Sequence, residues 1–214
     1  MIFQAVIFDM DGLLMDSELV GLTVMRQCGA LQGYDISLDQ VRHTLGSTTQ
    51  ASSDYYHTFF PDLDADRLFL DFKNAMCGLA RQGKIPLKPG ARELLAALRQ
   101  RGISRAVASS SGPAIIRTYL ESAGILEDFD ALVTAVGLPS KPAPDVFLKA
   151  AEALGAKPEG CLVLEDSING VQAGRAAGMT VCMVPDLIPF TDQLAPYCDH
   201  VLEDLSQVVP LLAP

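Results

Sequence analysis

Short apolar runs rich in β-branched residues alternate with longer stretches of helical periodicity, and each of those stretches stops just before a glycine. Strands are predicted over Ala5–Phe8, Arg105–Ala108, Ala131–Thr134, Cys161–Leu164 and Thr180–Val184, with a short one over His200–Leu202. Helices are predicted over Ala91–Gln100, Pro113–Ser122, Pro144–Leu154 and Ile168–Ala177, followed by Gly102, Gly124, Gly155 and Gly178. Glycine most readily takes the left-handed conformation that closes a helix. Strands and helices alternating at these lengths imply a parallel sheet covered on both faces, so the fold class is α/β. Gly170, Gly174 and Gly178 recur every fourth residue and are expected to pack the last of these helices closely on the sheet.

One stretch breaks the rhythm. From about Leu14 to Lys88 the pattern is helical without a convincing buried strand, and Pro86-Leu87-Lys88-Pro89-Gly90 marks the return to alternation. Residues 15–86 therefore read as a helical cap inserted after the first strand, with residues 1–14 and 87–214 forming the α/β core. An insertion tethered at both ends suits a lid over a site.

Composition narrows the function. The formal net charge is -10 and the pI about 4.6, which argues against binding nucleic acid or an anionic membrane, since both need clustered Lys and Arg. An anionic small substrate must then be held by a few local cations or a metal. The apolar runs are strand-length, far short of the ~20 residues of a spanning helix. Met1-Ile2-Phe3-Gln4 has no positive leader region. The five cysteines are odd in number and far apart, as expected of reduced thiols in the cytoplasm. Nothing in the sequence calls for a protein partner.

In open parallel sheets ligands bind beyond the carboxyl ends of the strands. There the sequence places Asp9-Met10-Asp11-Gly12, Ser109-Ser110-Ser111, Lys141 before the third core helix, and Glu165-Asp166-Ser167. Asp9 and Asp11 stand two apart at a strand end and can face one pocket. With Asp166 they could hold a hard cation such as Mg²⁺. One carboxylate near the metal can attack phosphorus while another shuttles a proton. Ser109 and Ser110 lead into a helix start, where a phosphate is favoured. Each feature also has a plainer explanation: a solvated turn, a helix cap, a surface lysine. His43, His57 and His200 lack metal-binding spacing and are expected to be surface or structural.

Taken together, Val6-Ile7-Phe8-Asp9-Met10-Asp11-Gly12, Ala108-Ser109, Lys141-Pro142 and Glu165-Asp166-Ser167, in this order and spacing, resemble the haloacid dehalogenase-like superfamily. The inserted helices and Ser140-Lys141-Pro142-Ala143-Pro144-Asp145 resemble its β-phosphoglucomutase-like branch. The resemblance spans essentially the whole chain and implies a Rossmann-like core with an inserted α-helical cap. It implies Asp9 as nucleophile, and Asp11 as general acid/base that also offers its backbone carbonyl to Mg²⁺. Ser109, Ser110 and Lys141 would bind phosphate, and Asp166 would ligate the metal with support from Glu165. An acid/base carboxylate at Asp11 favours phosphoryl transfer from oxygen.

Within that branch the cap separates mutases from phosphatases. β-Phosphoglucomutases carry a His where this chain has Gly21, and basic groups where it has Leu45 and Thr49. The resemblance therefore implies water as the acceptor. The expected activity is Mg²⁺-dependent hydrolysis of a small phosphorylated metabolite, a sugar phosphate, through an aspartyl phosphate, with Glu18, Gly46 and Ser47 as cap residues at the substrate. The competing readings are a β-phosphoglucomutase, a phosphoglycolate phosphatase, and a non-catalytic phosphosugar-binding regulatory protein.

Overall fold

The computed structural model describes residues 3–212, so residues 1–2 and 213–214, the outermost of the expected core, lie outside the described residues. In chain order β1 (Ala5–Phe8) leads into helices α1 (Ser17–Leu31), α2 (Leu38–His43), α3 (Thr49–His57) and α4 (Ala65–Arg81). Then follow α5 (Ala91–Gln100), β2 (Ser104–Ser109), α6 (Pro113–Ser122), β3 (Ala131–Thr134), α7 (Asp145–Ala153), β4 (Cys161–Glu165), α8 (Ile168–Ala176), β5 (Thr180–Met183) and β6 (His200–Val201). The strands form one sheet in the order β3-β2-β1-β4-β5-β6, with every pairing parallel. The predicted strands and core helices match to within one or two residues at each end.

The glycines end the helices as their chemistry suggests. After α5, Gly102 sits at φ 65° and its N–H bonds to the carbonyl of Arg99, while the N–H of Ile103 reaches back to Leu98. The same pair of bonds recurs at Gly124, Gly155 and Gly178. Each pair satisfies carbonyls that the helix end would otherwise leave bare.

Alternation along β1 supplies two apolar layers. Val6 and Phe8 face one layer with Val107, Leu162, Leu164, α5 and α6, whereas Ala5 and Ile7 face the other with Ala106, Val163, α7 and α8. With both faces covered, every β1 side chain is buried. The chain leaves β1 for β2 and β3 on one side, then crosses to β4 on the other. That reversal opens a crevice between the carboxyl ends of β1 and β4.

The two linkers to the inserted helices pair with each other at this crevice. Met15 bridges Leu87 in antiparallel fashion, Asp16 N–H bonds to Pro86 O at 2.9 Å, and Lys88 N–H bonds to Leu14 O at 2.9 Å. The first apolar layer continues past Leu13 and Met15 into Leu22, Met25, Leu68 and Met76 of the inserted helices.

The three glycines spaced by four do not act alike. A Cβ on Gly174 would lie 2.9 Å from Val181 and 3.2 Å from Val163, so its absence sets the distance of α8 from the sheet. Gly170 abuts the Glu165 carboxylate. Of the two roles expected for Gly178, it takes the helix stop and not the packing one: it lies beyond the end of α8 at φ 74°, and a Cβ there would meet no heavy atom within 4 Å. Gly174→Val is therefore expected to destabilise the fold by about 1–3 kcal/mol through overpacking. Gly178→Ala should cost ~1 kcal/mol through backbone strain alone. Urea denaturation of the two variants checks this, and equal effects would contradict the separate roles.

Candidate active site

The residues that follow β1, β2 and β4 converge, together with the loop before α7. Asp9 continues β1, its N–H bonded to Leu164 O at 3.0 Å. Lys141 reaches in from the loop before α7, and its Nζ lies 2.5 Å from Asp9 Oδ1, 2.6 Å from Glu165 Oε1 and 3.4 Å from Ala108 O. The ammonium sits 4.8 Å from the centre of the Phe147 ring, and its side chain is 7% exposed. Burial alone would discharge such a lysine, but Asp9 and Glu165 outweigh it and hold the ammonium above its ordinary range.

Glu165 is fully buried behind this contact. Its Oε1 accepts from Lys141, while its Oε2 accepts from Asp166 N–H, Ser167 N–H and Ser167 Oγ, each at 2.9 Å. Expected to support the metal, Glu165 has one oxygen on the lysine and the other on the turn that carries Asp166. Its contribution is support of those two groups. The turn holds because Ser167 also caps α8, accepting from Gly170 N–H at 3.1 Å.

Asp11 points elsewhere. Gly12 at φ 84° starts a tight turn closed by Gly12 N–H to Met15 O at 2.9 Å. Asp11 Oδ1 accepts from Ser17 Oγ at 2.8 Å and Oδ2 from Ser111 Oγ at 2.9 Å. Burial raises the Asp11 pKa above the ordinary carboxylate range, with both hydroxyls opposing the rise. Burial also raises Asp9, to about 7, against the pull of Lys141. The two aspartates thus have different surroundings: one touches an ammonium, the other only hydroxyls.

Two adjoining cavities meet at Asp11. The smaller, about 320 Å³, is lined by Asp9, Asp11, Ser109, Ser110, Lys141 and Asp166, with Glu18, Gly46 and Ser47 on its cap side. The larger, about 590 Å³, runs into the inserted helices past Leu22, Met25, Phe69, Phe72, Met76, Ile115 and Tyr119, with Lys73 at its edge. Every sequence-predicted site residue except Glu165 lines the smaller cavity. Ser109 also accepts from Ser111 N–H at 3.0 Å, so it shapes the loop as well as facing the cavity. In the cap, Thr48 caps α3 while Ser47 and Thr49 face the cavities, so the helix-start and lining explanations both hold for the segment. His43 stacks on Tyr55 at 4.2 Å, and His57 bonds to the Leu63 carbonyl; neither lines these two cavities.

A further group of carboxylates, not expected from the sequence, gathers around Asp166. Among the described residues, Glu18, Asp166 and Asp186 each bring a carboxylate oxygen within 4.8 Å of one another, while Asp9, Asp11 and Asp166 line the same cavity. Both side-chain oxygens of Asp11 are meanwhile engaged by Ser17 and Ser111. Asp166 itself packs against Gly12, where a Cβ would collide with Oδ2. Burial raises Asp166 well above its usual range, and burial with Asp186 and Asp11 nearby raises Glu18 to about 8. Glu18 Oε2 and Asp186 Oδ2 are buried with no protein partner. An all-oxygen set with excess negative charge and bare buried oxygens fits a hard divalent cation such as Mg²⁺.

Sequence reasoning missed Ser17 and Ser111 as holders of Asp11, Asn169, whose amide donates to Gly46 O at 2.9 Å across to the cap, and Asp186. Asp186 had a signal: it follows β5 just as Asp166 follows β4. Ser111 and Asn169 had none, because their partners are distant in the chain, and Ser17 reaches Asp11 only through the turn at Gly12.

A family model described as haloacid dehalogenase-like hydrolase matches residues 3–178. Hexitol phosphatase B of Escherichia coli (strain K12) is 35% identical over 184 residues, covering 85% of this chain and 83% of that protein. A bifunctional riboflavin kinase/FMN phosphatase of Arabidopsis thaliana is 31% identical over 208 residues, covering 96% of this chain and 54% of that protein. The solved structure of CbbY from Rhodobacter sphaeroides in complex with phosphate shares the fold, with a TM-score of 0.82 at 23% identity over 97% of this chain and 96% of that one.

The crowded carboxylates set a pH dependence. In metal-free protein Glu18 stays protonated in the folded state at pH values where the unfolded chain has already lost its proton. Its contribution to stability therefore falls as pH rises from about 4.5 to about 8. Glu18→Gln, which cannot ionise, should gain thermal stability relative to wild type across that window. Melting curves in chelator at pH 5 and pH 9 check this, and a constant difference would refute it.

Proposed function

As the chain belongs to the haloacid dehalogenase-like hydrolases, we propose that it is a Mg²⁺-dependent phosphatase acting on a small phosphorylated metabolite, a sugar phosphate, through a phosphorylated Asp9. One observation carries the reading: Lys141 engages Asp9 Oδ1 at 2.5 Å while Asp11, two residues on, is turned towards the cap cavity. That division suits a nucleophile on the phosphate side and a proton carrier on the leaving-group side.

Lys141, Ser109 and Ser110 hold the phosphoryl oxygens in the smaller cavity. An Asp9 oxygen attacks phosphorus, and the bond from phosphorus to the ester oxygen breaks. Asp11, whose burial favours its protonated form, gives its proton to that departing oxygen. The Asp11 carboxylate then takes a proton from water as the water oxygen attacks the phosphorus, releasing phosphate and restoring Asp9. Asp9, the Asp11 backbone carbonyl and Asp166 would hold Mg²⁺, which when bound supplies positive charge to the phosphoryl oxygens.

The acceptor is water because the cap lacks equipment for a second phosphate. Gly21 stands where the mutases of the branch carry a His, and a Cβ there would already lie 3.3 Å from Phe72. Leu45 and Thr49 add no charge. Lys73 is exposed at the edge of the cap cavity, and among the described residues no other cation lines that cavity. The five cysteines are free thiols, which supports a reducing compartment such as the cytoplasm.

The lining of the cap cavity favours a second reading of the leaving group. Leu22, Met25, Phe69, Phe72, Met76 and Tyr119 surround it with apolar surface, against the hydroxyls of Ser47, Thr49 and Ser52. Such a wall suits a phosphate ester with an apolar or ring-bearing alcohol, and one relative is named as an FMN phosphatase.

Asp9→Asn should lower Mg²⁺-dependent phosphate release by ~10³-fold or more while melting like wild type. Retained turnover in that variant would remove Asp9 from the nucleophile role. A phosphate-release panel of hexitol, hexose and aryl phosphates separates the two leaving-group readings by kcat/KM. Interconversion of hexose phosphates without release of phosphate would instead establish a mutase.

A further inference from the structure

Asp186 has no role in the chemistry above, yet it is the most constrained carboxylate on the cap side of the site. It follows β5, its side chain is 9% exposed, and its Oδ1 is bonded to Lys88 Nζ at 2.5 Å. Lys88 belongs to the linker that returns from the cap, and its Nζ also lies 3.8 Å from Asp16 Oδ1 on the outgoing linker. The other oxygen of Asp186, Oδ2, is buried and has no partner, and so is Oε2 of Glu18 in the first turn of α1. Both residues bring an oxygen within 4.8 Å of one on Asp166.

A buried carboxylate oxygen left bare costs free energy, and three such groups converging repel one another. Lys88 serves Oδ1 of Asp186 and leaves Oδ2 bare. Mg²⁺ keeps several of its waters when only one or two carboxylates bind it directly, and those waters are donors that need acceptors. Bare acceptor oxygens beside the Asp166 carboxylate match that need.

Resting on the cation reading of the site, we propose that Asp186, with Glu18, is a positioning residue for the divalent cation carried at Asp166: Asp186 Oδ2 and Glu18 Oε2 accept hydrogen bonds from its bound waters. Through the Lys88 contact this acceptor is tied to both cap linkers, so the cation and the cap hinge share one anchored side chain.

The test is calorimetric titration of MgCl₂ into phosphate-free protein, for wild type, Asp186→Asn, Glu18→Gln and Lys88→Met, with folding checked by melting curves. Asp186→Asn should weaken Mg²⁺ binding by about 10-fold or more, as removal of outer-shell partners does. Glu18→Gln, which removes no core packing, should weaken it in the same direction and keeps the proposal testable if Asp186→Asn folds poorly. Lys88→Met should leave Mg²⁺ affinity at or above the wild-type level. If Asp186 serves only as the partner of Lys88, Asp186→Asn and Lys88→Met will lose thermal stability alike with unchanged Mg²⁺ affinity, and the proposal fails. Wild-type protein that binds no Mg²⁺ would overturn the cation reading together with it, whereas wild-type affinity in both carboxylate variants would overturn this inference alone.

Discussion

A single buried ammonium organises the site. Lys141 is inserted between Asp9 and Glu165, which belong to adjacent strands of the sheet and would repel each other without it. Removing one member of such a pair in a protein interior costs about 3–5 kcal/mol, because the remaining charge has neither water nor partner. The lysine therefore fixes three loops at once: those following β1 and β4, and the one preceding α7. Its third contact, the Ala108 carbonyl, adds the end of β2. Glu165 passes this order on through the turn at Asp166 and Ser167, and so to the first turn of α8. Gly170 is required there, since any side chain would strike the Glu165 carboxylate.

This local positive charge matters because the chain as a whole is acidic, with a formal net charge of -10. The global field repels an anionic substrate, and only a charge placed at short range in a low-dielectric pocket can oppose it. One lysine is not enough for the carboxylates around it. Burial raises the pKa values of Asp9, Asp11, Asp166 and Glu18, neighbouring carboxylates add to the rise for Asp9, Asp166 and Glu18, and oxygens of Glu18 and Asp186 stay bare. A divalent cation offsets that excess. The cap side of the site is different in kind, being mostly apolar and nearly without charge. Phosphate recognition and leaving-group recognition are thus separated in space, with Asp11 at the boundary.

Much of the fold was legible in the chain because its signals are local. A strand buried on both faces reads as a short apolar run, and a Schellman ending needs glycine at a fixed offset; both requirements act within a few residues. The same holds for Asp9, Lys141 and Asp166, which sit at ends of elements whose positions are locally encoded. What the sequence left open was settled by contacts in space. Gly178 shares its spacing with Gly174, but only the end of α8 makes one a helix stop and the other a packing surface. For Glu165 and Asp11 the sequence named the residues but not the partners of their oxygens: Lys141 engages the first, and Ser17 with Ser111 the second.

The sequence by itself determined the alternating architecture, the inserted helices and the kinds of side chain that reach one rim of the sheet. Periodicity, helix stops and strand ends are properties of neighbouring residues. Only the tertiary structure decided which oxygen of each carboxylate is satisfied, which is left bare, and what surface faces the leaving group. Those outcomes depend on side chains as far apart in sequence as Lys88 and Asp186, brought together by a crossover in the sheet. Hydrogen bonds and charges act over a few ångströms of space, so their effects cannot be read from separation along the chain.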